Sequence, residues 1–342
     1  MQPVQLSLVI GEPGSGVSTL LAAFARRADA QTTRILDPGR ASGANGDLGR
    51  TCDVEGITAL LRQDACDAGP LVLAAHDLRA PRRLLQALAD DPNLGASHRL
   101  NAVTLAIDAS AAKTDVKAVG PADPCDRAAA VADRIVLTKT DLAEPGAVKR
   151  LASTLKTLNP PAPILRARHG DIGPARLVDG GLFDPVTSSV DIDRWLCEAA
   201  FGFEAARRGG PDLPETALSR LRNDVGVGFF AVTIDQPVEG TVLSVFLKLL
   251  MAEHGGDLLR LKGIVAIADH PDRPALIDGR EHLIQPLLWL PAWPTADRRS
   301  RLVFSTLDVS ETWIRTLLTA LSDQLRLQET PVLQLALTDK AG

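Results

Sequence analysis

An apolar run, Leu6 to Ile10, breaks directly into Gly11-Glu12-Pro13-Gly14-Ser15-Gly16-Val17-Ser18. Helical spacing then takes over at Leu20, Leu21, Phe24, Ala25 and Ala28. This predicts a buried strand, a glycine loop and a helix starting near Gly16. The spacing G-x-x-x-x-G-x-S is the frame of a phosphate-binding loop, in which converging backbone N–H groups at a helix N-terminus hold anionic oxygens. On that reading Gly11, Gly14, Ser15, Gly16, Val17, Ser18 and Thr19 form the nucleotide-contacting stretch, and Ser18 is the Mg²⁺ ligand. One position departs from the frame: Val17 stands where the motif needs Lys. The alternative is a glycine turn joining strand to helix in an unrelated α/β fold.

Further short apolar runs alternate with helical patterns up to about residue 170. Arg34–Asp37, Pro70–Ala75, Asn101–Asp108, Arg134–Thr138 and Pro163–Ala167 are expected strands. Val54–Gln63, Pro81–Ala89, Cys125–Ala132 and Leu151–Leu158 are expected helices. The alternation predicts a parallel sheet with helices on both faces. Pro38–Arg50 is a polar, glycine-rich loop; Asp37 just before it and Asp47 within it could sense a γ-phosphate, or are simply solvated. His76-Asp77 at a strand tip suggests a metal ligand or base only weakly, because adjacent strand residues face apart.

The second informative stretch is Thr138-Lys139-Thr140-Asp141, directly after a strand. In that pattern the Lys stem lies along a guanine base, and the Asp carboxylate accepts from its N1–H and 2-amino group. Adenine lacks that pair of donors, so the wrong base leaves the carboxylate unpaired. A lone K-x-D is common on surfaces; its position downstream of the glycine loop gives it weight.

Composition narrows the class. The 342 residues suggest two domains, and 45% hydrophobic residues suffice for their cores. A net charge of −5 argues against nucleic-acid partners. There is no stretch long and apolar enough for a membrane span and no signal-peptide pattern, so a cytoplasmic protein is expected. Cys52, Cys66, Cys125 and Cys197 are scattered and indicate no disulfide framework.

The expected domains are a nucleotide domain over 1–185, a linker with a short helix (190–200) over 186–225, and an α+β domain over 226–338. In the last, Val227–Ile234, Leu261–Ala268, Glu281–Leu290 and Arg301–Ser305 are expected strands, with a final edge strand at Val332–Leu337. Glu239–His254 is an expected helix with Val242, Phe246, Leu249 and Leu250 inward, stopped by Gly255-Gly256. Ser310 is the expected N-cap of a helix to Leu321. The order suggests a sandwich of ferredoxin-like type. His254, His270 and His282 lack ligand spacing.

Together these stretches resemble the CobW family of P-loop GTPases, metallochaperone-type relatives of the urease and hydrogenase accessory GTPases. Gly11–Leu21 is similar to its G-x-x-G-S-G-K-T-T-L-L, and Ala132–Leu142 to its A-D-R-I-V-L-[NT]-K-x-D-L. Leu158–Ile164 and Gly181–Pro185 also fit. Leu259–Ile264 and Asp297–Phe304 are similar to the L-R-[AL]-K-G and D-R-R-S-R-[LI]-V-[FW] of its C-terminal domain. The resemblance implies GTP or GDP with Mg²⁺, slow hydrolysis, and delivery of Zn or Co to a protein client.

Three departures bear on this. Val17 replaces the phosphate Lys; Thr51-Cys52-Asp53 stands where the family has C-x-C-C; and Ala74-Ala75-His76-Asp77 replaces an acidic motif at the third strand's end. One thiolate does not build a zinc site. Arg40, Arg50, Lys113 and Lys117 are the loop cations available to replace the missing Lys. Three readings stay open: a GTP-binding protein with weak or absent hydrolysis, a non-hydrolysing pseudo-GTPase acting as an interaction module, and a fold relic without nucleotide.

Overall fold

The computed structural model describes residues 3–27, 34–36, 54–63, 70–111, 124–159, 162–173, 176–177, 227–281, 283–294 and 296–329. The first sheet contains β1 (Val4–Ile10), β2 (Arg34–Leu36), β3 (Leu71–Ala75), β4 (His98–Asp108), β5 (Arg134–Thr138) and β6 (Ile164–Arg166). All pairings are parallel, in the order β2-β3-β1-β4-β5-β6. The period-two alternation of β1 explains how both faces are covered. Leu6, Leu8 and Ile10 join a core with residues of α2 (Val54–Gln63), α3 (Ala80–Asp90), α5 (Pro124–Val131) and α6 (Pro145–Leu158). Val9 joins the opposite core with Leu20, Leu21 and Phe24 of α1 (Val17–Arg27). Neighbours β3 and β4 lie on either side of β1, so the loop leaving β1 opens at the switch point of the sheet, where α/β folds bind ligands.

One element was not expected. The six-residue helix α4 (Pro92–Ser97) precedes β4, capped by Asp91, whose carboxylate accepts from the Asn93 and Leu94 N–H groups.

The second sheet is antiparallel. Its strands are β7 (Val227–Ile234), β8 (Leu258–Ile267), β9 (His270–Arg280), β10 (Leu283–Ile284), β11 (Leu288–Trp289) and β12 (Ser300–Leu307). The order is β10-β9-β8-β12-β7, with β11 also on β9. Strands β7 and β8 are both antiparallel to β12 between them, so β7, α7 (Gly240–His254) and β8 form a split β-α-β unit. Helix α8 (Glu311–Glu329) packs beside α7, and both cover one face over Phe230 and Phe304, stacked 5.1 Å apart.

The expected strand over 281–290 is therefore corrected. The long strand is β9, and 281–290 holds only the two-residue strands β10 and β11. Pro271 and Pro274 disguised it; they fall in its first half, Pro271 exposed and Pro274 buried, where the pairing jumps from Val265–Ala275 to Ile267–His270. Three full strands lie between α7 and α8, so the strand order is not ferredoxin-like. Leu249 is also corrected: it is 37% exposed, and Leu243 is buried instead. The α7 stop does not use a left-handed glycine, since Gly255 has φ −56°. Ser310 does cap α8, accepting from the Trp313 N–H. His254 and His270 each make an edge contact with a tryptophan, Trp313 and Trp289. The 190–200 helix, the 332–337 strand, His282, Asp37 and Asp47 lie outside the described residues.

Candidate nucleotide site

The glycine loop leaves β1 at Gly11 and enters α1 at Val17. Gly14 and Gly16 have φ +85° and +92°. At Gly16 the requirement is double, because a Cβ there would also meet the Thr138 side chain at 3.3 Å. The Ser15 hydroxyl is buried without a hydrogen-bond partner. Val17 turns inward: it is 1% exposed and belongs to the apolar cluster of Val9, Ala106 and Val136. Ser18 and Thr19 follow in the first turn of α1.

Thr138, at the tip of β5, ties this loop to the second motif. Its hydroxyl donates to the Ser15 carbonyl at 2.6 Å and lies 3.1 Å from the Ile107 carbonyl. Lys139 follows in the left-handed region, φ +51°, with its ammonium 2.5 Å from Asp108 at the tip of β4. The same Asp108 accepts from the Ser110 N–H and hydroxyl. Burial pushes the Asp108 carboxyl up, but the bonds from Lys139 and Ser110 outweigh it and hold it below the ordinary carboxylate range. Asp141 sits one turn on, its carboxylate 3.6 Å from the His169 imidazole, which is 87% exposed.

The loop after β6 closes the group. His169 has φ +50° and Gly170 φ +77°, and a Cβ on Gly170 would lie 2.7 Å from the Thr19 carbonyl. The glycine loop, the tips of β4 and β5, and the loop after β6 are thus one contiguous surface. Two non-glycine residues in left-handed backbone within it mark a site held by its surroundings.

The sequence singled out Thr138, Lys139 and Asp141 but gave Asp108 no role; an Asp ending an apolar strand was the available signal. Asp77 is committed locally, accepting from the Arg79 N–H and pairing with Arg83 at 3.3 Å. Cys52, Arg40, Arg50, Lys113 and Lys117 lie outside the described residues. Among the described residues no group of three or more His, Cys, Asp or Glu is placed to hold a metal ion. No helix among them is long and apolar enough to cross a membrane.

Residues 53–166 match the model of the CobW/HypB/UreG nucleotide-binding domain, and residues 227–322 match the cobalamin synthesis protein cobW C-terminal domain. The chain belongs to the CobW family. The zinc chaperone YjiA of Escherichia coli K12 is 29% identical over 184 residues, 54% of this chain and 50% of the relative, so the match spans half of that protein. The crystal structure of Zn(II)-bound YjiA GTPase from E. coli superposes with a TM-score of 0.61 at 22% identity, covering 94% of this chain and 99% of that one. A Zn(II)-bound triple mutant of YjiA gives a TM-score of 0.61 at 21% identity with the same coverage. This likeness shows the fold, a parallel sheet with helices of P-loop NTPase type and an antiparallel sheet that matches the CobW C-terminal domain.

The other CobW-like motifs turn out to be joints. In the segment before β5, Asp133 is 3% exposed at its side chain and faces the second sheet. There Arg260 (3.0 Å) and Lys262 (2.9 Å) of β8 and Arg280 (2.7 Å) of β9 converge on it. It also accepts from the Val103 N–H at 2.8 Å. Asp278 lies behind, 2.8 Å from Arg260. Burial pushes the Asp133 carboxyl up, but Arg260 and Lys262 bring it below its ordinary value. Burial dominates at Asp278 and raises it. The A-D-R-I-V-L and L-R-L-K-G stretches therefore recognise each other.

Proposed function

We propose that this chain binds GDP and GTP, with Mg²⁺, in the surface between the glycine loop and the β5 tip, and hydrolyses GTP weakly or not at all. The observation that carries this is the Thr138–Ser15 hydrogen bond with the close Gly16–Thr138 approach, which locks the phosphate-type loop to the base-reading motif. The chain's residues fit the group. Two left-handed glycines shape the loop, the Ser15 hydroxyl is buried without a partner, and a helix N-terminus stands behind them. Gly14, Gly16 and Thr19 would hold phosphate oxygens through their N–H groups and Ser15 through its hydroxyl, while the Gly11 N–H already donates to the Ala75 carbonyl at 3.2 Å and fixes the start of the loop. Ser18 would offer its hydroxyl to Mg²⁺, and Asp141 would accept from guanine. The bound Mg²⁺ supplies charge neutralisation for phosphoryl transfer.

What the chain's own residues withhold is the cation beside the terminal phosphate. Val17 is packed in an apolar cluster, and Lys139 is paired with Asp108. Losing one charge-assisted contact costs roughly 1.5–3 kcal/mol of binding and weighs more heavily on the transition state. Among the described residues no donor set is placed to hold zinc or cobalt, so the proposal stops at the nucleotide. Burial of Val17 favours a second reading, a pseudo-GTPase whose nucleotide-bound form docks a protein client without turnover.

Titration with a fluorescent GDP analogue tests the proposal, with Asp141→Asn as its partner experiment. We expect saturable binding, and a preference that moves from guanine to xanthine nucleotides in the variant. No binding at high micromolar concentration, or an unchanged preference, overturns the reading.

A further inference from the structure

A cavity of about 320 Å³ opens at the seam between the two sheets' layers, away from the nucleotide site. None of the glycine-loop or β5-tip residues lines it. Its walls are the first half of α3, the length of α5 and the end of β9. Five guanidinium groups border it, those of Arg79, Arg82, Arg83, Arg127 and Arg280.

Among the described residues, most of the carboxylates that answer them also serve other cations. Glu281 pairs with Arg127 at 3.2 Å and with Arg82 at 4.0 Å. Asp77 takes Arg83, and Arg280 is taken by Asp133, which also serves Arg260 and Lys262, and at 3.8 Å by Asp278, which also serves Arg260. The Arg79 guanidinium has no acidic partner among the described residues. Such an excess in a chain of net charge −5 is local and built, because Arg280 is 1% exposed at its side chain.

Two further atoms point to an occupant. The Arg280 Nε is a buried donor without an acceptor, and the Glu281 Oε2 is a buried acceptor without a hydrogen-bond donor. Both residues line the cavity, and Glu281 is held there in left-handed backbone, φ +48°. Buried polar atoms left unmet are costly, and left-handed backbone in a residue like Glu marks a constrained position. Between the arginines the floor is apolar, formed by Leu85, Ala128 and Val131.

We propose that this seam cavity binds a small organic anion with at least two negative charges and one hydroxyl. Guanidinium forks match carboxylate and phosphate oxygens. The hydroxyl donates to the Glu281 Oε2, and the carbon skeleton rests on the apolar floor. The volume suits a compact metabolite-sized molecule. Because α3 and α5 belong to the first layer and Glu281 follows β9, the ligand bridges both layers and stabilises their contact.

The test uses the full chain in isothermal titration calorimetry with three probes: citrate, glycerol 3-phosphate and inorganic phosphate. We expect one of the two organic anions to bind with a Kd below about 1 mM and the other more weakly, which separates a carboxylate from a phosphate ligand. Arg79→Ala with Arg82→Ala should weaken it by about tenfold or more. Should that double variant melt early, Arg79→Gln alone serves, since that guanidinium makes no described contact. Three results overturn the proposal. The first is no organic probe binding in that range, and the second is inorganic phosphate binding as tightly as both organic anions. The third is binding undiminished in the arginine variants, which would place the anion in the glycine loop.

Discussion

Val17 is the residue on which the chemistry turns. Its side chain is enclosed with Val9, Ala106 and Val136, so the loop keeps its shape without the cation that usually crosses it. Restoring that charge with Val17→Lys should raise affinity for GTP by roughly 10- to 100-fold, the equivalent of 1.5–3 kcal/mol. Phosphate release in a single-turnover assay with Mg²⁺ should rise by more. A wild type as fast as the variant would remove Val17 from any account of the activity. Gly170 makes a second residue-scale prediction. A Cβ there meets the Thr19 carbonyl at 2.7 Å in left-handed backbone, so Gly170→Ala should cost about 1–3 kcal/mol in a denaturant midpoint and also weaken GDP binding. The lost Lys was legible in the sequence because the loop has a fixed spacing. The close approach of Gly170 to Thr19 was not, because the two lie about 150 positions apart and only folding brings them together.

Elements with an uninterrupted pattern were readable, and those whose pattern is broken by tertiary pairing were not. Strands β1 and β5 are short apolar runs buried at every or nearly every position, so periodicity and flanking turns were sufficient. In β9, by contrast, the irregular stretch 270–274 carries two prolines and four exposed residues, and pairing with its neighbours, β8 above all, makes it a strand. The Leu158-Asn-Pro stretch was recognisable by resemblance, yet its work belongs to a different helix. The Asn159 amide donates to the carbonyls of Ala129 (2.7 Å), Ala130 (3.3 Å) and Ala132 (2.9 Å), closing the C-terminal end of α5, and its oxygen accepts from the Ala162 N–H. Asn159 is buried, so its removal leaves helix-end carbonyls without a donor. Asn159→Ala should therefore destabilise by about 1–3 kcal/mol, read as a lowered urea midpoint at unchanged slope. Asn159→Asp should cost more, since it sets an acceptor against acceptors. Equal stability of all three would assign the helix end another cap.

At the scale of the whole molecule, Asp133 holds the two layers together, and it lies immediately before β5, whose last residue opens Thr138-Lys139-Thr140-Asp141. Breaking a buried ion cluster on one side strands the opposite charges, at a cost of about 3–5 kcal/mol. Asp133→Asn would leave Arg260, Lys262 and Arg280 facing an uncharged amide. The thermal transition at neutral pH should fall sharply or split in two as the layers uncouple. The pH dependence has a definite sign. A carboxyl held below its ordinary value contributes fully above its unfolded pKa, about 3.9, and loses that contribution as pH falls through the lower folded value. Asp278, raised by burial, works the other way: its charged form is penalised at neutral pH, and that penalty lifts on acidification. The gap in melting temperature between wild type and Asp133→Asn should therefore still be open at about pH 5 and close only below about pH 4. A gap that closed near pH 6 would point to a histidine in place of the carboxylate, and no gap at pH 7 would mean that the apolar seam of Ala130, Val131, Val227, Leu259 and Leu307 carries the contact alone.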